Sequence, residues 1–97
     1  MPARRYYFVY ILASDNRRAL YTGMTGDLRR RMFQHKNGIG GGFSSRYRTR
    51  RLVWFEIHEN PLTAILREKQ LKAGSRMRKL RLIESTNPGW QDLTPGH

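Results

Sequence analysis

The chain has no cysteine among its 97 residues, so neither a disulfide framework nor a thiolate metal site is available to it. That composition fits a reducing compartment, and a cytoplasmic location is the expectation. Acids are scarce as well: 7 Asp and Glu stand against 19 Lys and Arg, a formal charge of +12. A chain so poor in carboxylates offers few ligands for a hard metal ion, and each one counts. Long apolar runs are also missing. The longest, Tyr6 to Ala13, falls far short of the ~20 residues a membrane span needs. Arg4 and Arg5 precede that run, but no small-residue cleavage site follows it, so it reads as a strand and not as a signal peptide. No internal repeat is present. The length fits one small domain over residues 1–97, with its core at about 6–93.

Arginine supplies 15 of the 19 cations. A guanidinium fork matches phosphate oxygens better than an ammonium does, so a small domain this basic points to a polyanionic partner, with nucleic acid the commonest. The densest candidate for phosphate contact is Phe43 to Arg51, where Arg46, Arg48, Arg50 and Arg51 alternate with hydroxyls and aromatics. It has no obvious recognition helix, so positioning on the backbone is expected of it, not base reading.

Tyr6 to Leu12 is continuously aromatic and β-branched and reads as a buried central strand. Ala13 to Arg18 is polar and turn-prone, and Ala19 to Gly23 is a second strand, so an antiparallel hairpin is predicted. Thr25 or Asp27 can cap a first helix that ends at Lys36 before Asn37-Gly38. Leu28, Arg31, Met32 and His35 share one face of that helix. A glycine-rich loop follows, from Gly38 to Gly42. Leu52 to His58 alternates, with Val53, Phe55 and Ile57 on one side and Leu52, Trp54, Glu56 and His58 on the other. Asn60-Pro61 opens a second long helix reaching Ala73, with Gly74 as its C′ residue. Ser75 caps a third helix that stops before Pro88. Trp90 and Leu93 are expected to dock back on the body. The order of elements predicts an α+β fold: a small three-stranded antiparallel sheet flanked by about three helices. A parallel return of the third strand is the alternative.

Cleaving a phosphodiester with a metal requires a carboxylate, a proton acceptor and a cation for the developing charge. Glu68 lies four residues after Ala64 and three before Leu71, so its side chain leaves from the apolar side of its helix; an ion pair with Arg67, Lys69 or Lys72 is the plainer use of it. Tyr10 and Tyr21 sit in strands, where packing is their ordinary role. Arg31 and His35 lie one helical turn apart, and His is the natural acceptor near neutral pH.

Together these residues carry a pattern. Val9-Tyr10-Ile11 is followed eleven positions after Tyr10 by Tyr21-Thr22-Gly23, then by Arg31 and His35 on the next helix and Glu68 on a later one. This arrangement resembles the GIY-YIG family of metal-dependent DNA endonucleases over nearly the whole chain, and looks most like small stand-alone bacterial members related to the nuclease module of the nucleotide-excision-repair incision enzyme. Val9 replaces the first glycine of the name motif and Thr22 the isoleucine, while Met24 stands where the repair enzymes carry a basic residue. The resemblance implies a three-stranded antiparallel sheet and hydrolysis of DNA phosphodiesters with a single Mg²⁺ or Mn²⁺ held by Glu68. It implies that Tyr21 orients or deprotonates the attacking water, that His35 accepts the proton, that Arg31 neutralises the phosphate and that Tyr10 supports the network. Gly23 would leave room for the phosphate to approach. The partner is DNA, in repair or processing, and a protein partner can supply specificity. The alternative is a nucleic-acid-binding module of the same fold without catalysis.

Overall fold

A computed structural model describes residues 5–39 and 42–95. Three strands form one sheet: β1 (Tyr7–Ala13), β2 (Leu20–Thr25) and β3 (Arg51–His58). Their order is β2-β1-β3, with both pairings antiparallel. The expected central strand is therefore central, and the third strand returns antiparallel. The expected helices are α1 (Leu28–Lys36), α3 (Pro61–Ala73) and α4 (Arg76–Thr86). Among the described residues no helix is long and apolar enough to cross a membrane.

The two faces of β1 separate the core. Tyr10 and Leu12 pack with Leu28 and Met32 of α1, while Val9, Ile11 and Ala13 pack with Ala64 and Leu71 of α3 and Ile83 of α4. Covering on both faces explains why the Tyr6–Leu12 segment has no polar alternation. Serine and asparagine side chains build the hairpin loop. Ser14 donates to Asn16 at 2.7 Å and accepts from the Ala19 amide at 3.0 Å, so the loop closes on its own polar groups.

β3 departs from simple alternation. Tyr10 pairs with Phe55 and Ile11 with Trp54, but Leu12 pairs with Leu52, which leaves Val53 as an extra residue in a β-bulge. The bulge puts Val53 and Trp54 on the same side, against α3 and α4, while Leu52 and Phe55 both join the α1 side. The two-sided pattern expected from period-2 counting thus fails at Val53, because an inserted residue shifts every later side chain to the other face.

No helix was predicted between Lys36 and Asn60, yet Gly42–Tyr47 is a short helix, α2, and β3 begins at Arg51 instead of Leu52. The expected glycine loop lies partly outside the described residues, at 40 and 41; Gly38 and Gly42, its described ends, have φ of 68° and 77°. Gly74 is the C-cap of α3 but is extended, with φ −78°, so no left-handed residue ends that helix. The predicted caps Asp27, Asn60 and Ser75 all accept a backbone N–H from their own helix.

The C-terminal segment anchors the site helix. Leu93 donates its N–H to the Leu52 carbonyl at 2.7 Å. The Asp92 carboxylate accepts from the Leu52 amide at 3.2 Å and from the Lys36 ammonium at the end of α1. Burial would raise the Asp92 carboxyl, but Lys36 and the contacts with Thr94 pull it below its ordinary value. Asp92 thereby fixes the C-terminal turn of α1, where His35 sits, to β3.

Candidate active site

β1 places Tyr10 directly opposite Gly23 on β2. The phenol lies across that glycine. A Cβ at position 23 would stand 2.5 Å from Tyr10 Oη and 2.6 Å from its Cζ. The space expected to admit a phosphate is occupied by Tyr10 itself, and this is the steric reason for glycine here.

α1 closes over the same face. Its stripe of Leu28, Met32 and His35 is buried, as predicted, with Arg31 half-buried at the edge. His35 Nε2 lies 3.0 Å from Tyr10 Oη, and Arg31 Nε donates to that oxygen at 3.4 Å. Tyr21, next but one to Gly23 and on the same face, brings its ring within 5.3 Å of His35 and 6.3 Å of Tyr10. Four of the five residues singled out from the sequence thus form one contiguous group drawn from β1, β2 and α1.

Guanidinium has no acceptor, so Tyr10 Oη accepts from Arg31. The same hydroxyl, with one proton and two lone pairs, pairs with His35 Nε2 in the sense that the imidazole tautomer sets. Burial, and then the charge of Arg31, lower the His35 pKa to about 4. Burial pushes the Tyr10 phenol up to about 12. At neutral pH the site therefore holds a neutral imidazole, a protonated phenol and one cation. Arg31 stays charged, its basicity raised first by the Tyr10 hydrogen bond, with Tyr21 also a partner.

Residues 6–81 match the family profile described as the GIY-YIG catalytic domain. The chain belongs to the GIY-YIG family. It is 40% identical over 78 residues to a UPF0213 protein of Clostridium perfringens, covering 80% of this chain and 83% of that one. It is 38% identical over 79 residues to a UPF0213 protein of Staphylococcus aureus, covering 80% and 94%. The solution NMR structure of a UPF0213 protein from Bacillus halodurans superimposes with a TM-score of 0.56 at 29% identity, over 92% of this chain and 94% of that one. The fold is thus that of a GIY-YIG nuclease domain, which implies a nucleic-acid substrate.

The fifth residue, Glu68, lies on α3, which packs on β1 and on the edge strand β2. Its charge is among the influences that raise the Tyr10 phenol. The carboxylate also pairs with Lys72 at 3.1 Å, one turn on, so the plainer use foreseen for it is present too. Among the described residues no three His, Asp or Glu side chains gather as a metal cage. One hard carboxylate matches the donor set of Mg²⁺ or Mn²⁺, which bind through one or two carboxylates, water and substrate phosphate.

The arginine cluster lies at the hairpin end of the sheet, where Ala13 pairs with both Leu20 and Arg51. Arg48 and Tyr47 line a hollow there with Asp15, Asn16 and Arg18. Arg46 is exposed and lies 5.6 Å over the Tyr47 ring; Arg50 is exposed. Arg51 pairs with Asp15 at 3.4 Å. Asn87, the C-cap of α4, is turned inward: it is buried, donates to the Val53 and Gln91 carbonyls at 3.2 and 2.8 Å and accepts from the Gln91 amide at 3.0 Å. The clamp role of Asp92 escaped the sequence reading, which had no signal for a contact 56 residues away.

Proposed function

We propose that the protein is a DNA endonuclease that hydrolyses phosphodiester bonds with one Mg²⁺ or Mn²⁺, in repair or processing of DNA in the cytoplasm. The observation that carries this reading is the Arg31–Tyr10–His35 hydrogen-bonded array with Tyr21 packed against it, and Glu68 close enough to influence Tyr10.

Arg31 is the cation that meets the scissile phosphate. Tyr21, on the edge strand, orients the attacking water. His35 is kept neutral, and a neutral imidazole has one ring-nitrogen lone pair that can accept a proton. Burial first, and the Arg31 charge second, hold its basicity low; a phosphate that neutralises Arg31 relieves the second of these as substrate arrives. Tyr10 stays protonated and holds the imidazole in place through Nε2. Glu68 would hold the divalent ion, which when bound supplies Lewis-acid stabilisation of the phosphate. Arg46, Arg48, Arg50 and Arg51 position more of the backbone, and a protein partner supplies any further specificity.

The test is a cleavage screen over branched, flapped, nicked and single-stranded DNA with Mg²⁺ or Mn²⁺, beside Glu68→Ala. Glu68 loses only an i,i+4 pair worth about 0.3–0.5 kcal/mol, so the variant should fold and melt close to wild type yet not cut. Full cleavage by Glu68→Ala would remove Glu68 from the mechanism. Salt-sensitive binding without metal, and no cleavage of any substrate, would favour the non-catalytic module.

A further inference from the structure

A groove of about 440 Å³ runs between α3 and α4. Arg67 and Gln70 of α3 face Arg78, Arg81 and Ser85 of α4 across a floor that includes Leu71 and Leu82. Each helix contributes residues spaced i, i+3, i+4 and i+7, a single stripe turned to the groove. No carboxylate lines it.

Arg67 is held in place. It pairs with Glu56 at 3.2 Å, lies 5.8 Å over the Trp54 ring and donates to Gln70 at 2.8 Å. Arg78 and Arg81 have no carboxylate partner among the described residues. Two unpaired guanidiniums three residues apart on one helix repel each other. Lys72, Arg76 and Lys79 crowd the same end of the domain: burial, then the Arg76 and Lys72 charges, push the Lys79 ammonium below its ordinary value. Arg67 and Lys72 have carboxylate partners in Glu56 and Glu68, whereas the positive potential of Arg78 and Arg81 has none among the described residues.

We propose that the α3–α4 groove binds a stretch of nucleic-acid backbone away from the scissile bond, two of its phosphates resting on Arg78 and Arg81. The proposal rests on the nucleic-acid reading above. Three guanidiniums, an amide and a hydroxyl are the donor set that phosphodiester oxygens take. The groove is open along its side, which suits a passing strand better than an enclosed small ligand. Arg67 and Glu68 are successive residues and diverge by about 100° around α3. The catalytic carboxylate therefore leaves α3 on the flank adjoining the groove, roughly a quarter-turn round from Arg67, and is not part of the groove lining. A nucleic acid engaging both must extend past α3.

Binding of a fluorescent 30-base-pair duplex in EDTA, measured by anisotropy across a KCl series, separates this from catalysis. Each phosphate contact contributes about 0.9 to the slope of log K on log salt, so Arg78→Ala/Arg81→Ala should make the slope shallower by about two. Arg78→Lys/Arg81→Lys should restore most of it. Ser85→Glu, which adds a carboxylate to the groove, should weaken binding in the same sense. Both arginines are exposed, so the variants should melt close to wild type. An unchanged slope in the double alanine variant overturns the proposal while leaving the nuclease reading intact. Inorganic phosphate that raises the wild-type Tm but not the variant's, with DNA binding equal, would give the groove to a free anion and also overturn it. Failure of the wild type to bind DNA at all would strike the nucleic-acid reading itself.

Discussion

Gly23→Ala tests whether the site is built by packing Tyr10 over a strand that has no side chain there. An added Cβ would meet Tyr10 Oη at 2.5 Å and Cζ at 2.6 Å, against an ordinary contact of 3.4 Å or more. The ring must give by about 0.9 Å at the hydroxyl. It has nowhere easy to go. Tyr10 is fully buried, and its oxygen is shared with His35 at 3.0 Å and Arg31 at 3.4 Å. A shift of that size breaks both hydrogen bonds. Overpacking of this kind costs about 1–3 kcal/mol and each lost hydrogen bond about 1 kcal/mol. Alanine regains about 0.5–1 kcal/mol over glycine in a strand interior. The net is a loss of about 3 kcal/mol, or roughly 12–24 °C in Tm for a domain of this size. The assays are thermal melting and the ring NMR signals of His35, which must change when Tyr10 leaves Nε2. Cleavage should fall even below the melting temperature. A Gly23→Ala protein with wild-type Tm and unmoved His35 signals would refute the argument, because it would mean the phenol does not rest on that strand.

His35 makes stability depend on pH. Its folded pKa of about 4 lies below the 6.5 of an ordinary solvated imidazole, so between those values the unfolded chain takes up a proton that the folded one excludes. The contribution is full above pH 6.5 and is lost as pH falls toward 4, at no more than about 1.4 kcal/mol per pH unit. Melting curves of wild type and His35→Gln across that window should diverge in slope, and equal slopes would contradict the assignment. Asp92 works in a different range: its depressed carboxyl contributes above its ordinary 3.8 and weakens only as pH drops through still lower values. Asn87→Ala should cost about 2 kcal/mol, since it strands the buried Val53 carbonyl, yet leave cleavage per folded molecule unchanged; a selective loss of activity at full stability would give Asn87 a role in the site. Arg46→Ala/Arg48→Ala should lower the salt slope of DNA binding by up to about two, and an unaltered slope would show that α2 and its C-terminal turn stand clear of the nucleic acid.

The parts of the fold that sequence revealed are those set by uninterrupted periodicity. β1 is buried on both sides and announces itself as an unbroken apolar run. α1 shows its inward stripe at Leu28, Met32 and His35 because nothing interrupts the helix. Capping residues at 27, 60 and 75 are local chemistry and read correctly for that reason. Failures arose where the structure depends on one inserted residue or on distance. Counting by twos cannot see the bulge at Val53, and so misassigned the sides of β3. Six polar and aromatic residues at 42–47 are too few to show a helical period. The partners of Asp92 and Asn87 come from segments far away in sequence, which no spacing rule reaches.

The bulge and the glycine act on the same tyrosine from its two neighbouring strands. Tyr10 pairs with Phe55 on one side and Gly23 on the other. Had β3 kept strict alternation after Leu12–Leu52, the partner of Tyr10 would have been Trp54, and the indole would lie on the α1 side where His35 now sits. The extra residue at Val53 sends Trp54 to the opposite face, where it supports Arg67, and brings Phe55 to the Tyr10 side. On the other strand, the missing side chain at 23 lets the phenol turn toward β2, where Tyr21 and Arg31 are within reach. Both features are needed before the Tyr10 hydroxyl can pair with His35 Nε2. The group of catalytic candidates is therefore placed as much by two backbone irregularities as by the five side chains that the motif names, and a variant that regularises β3 by deleting Val53 should scatter the group while leaving every one of those side chains in the sequence.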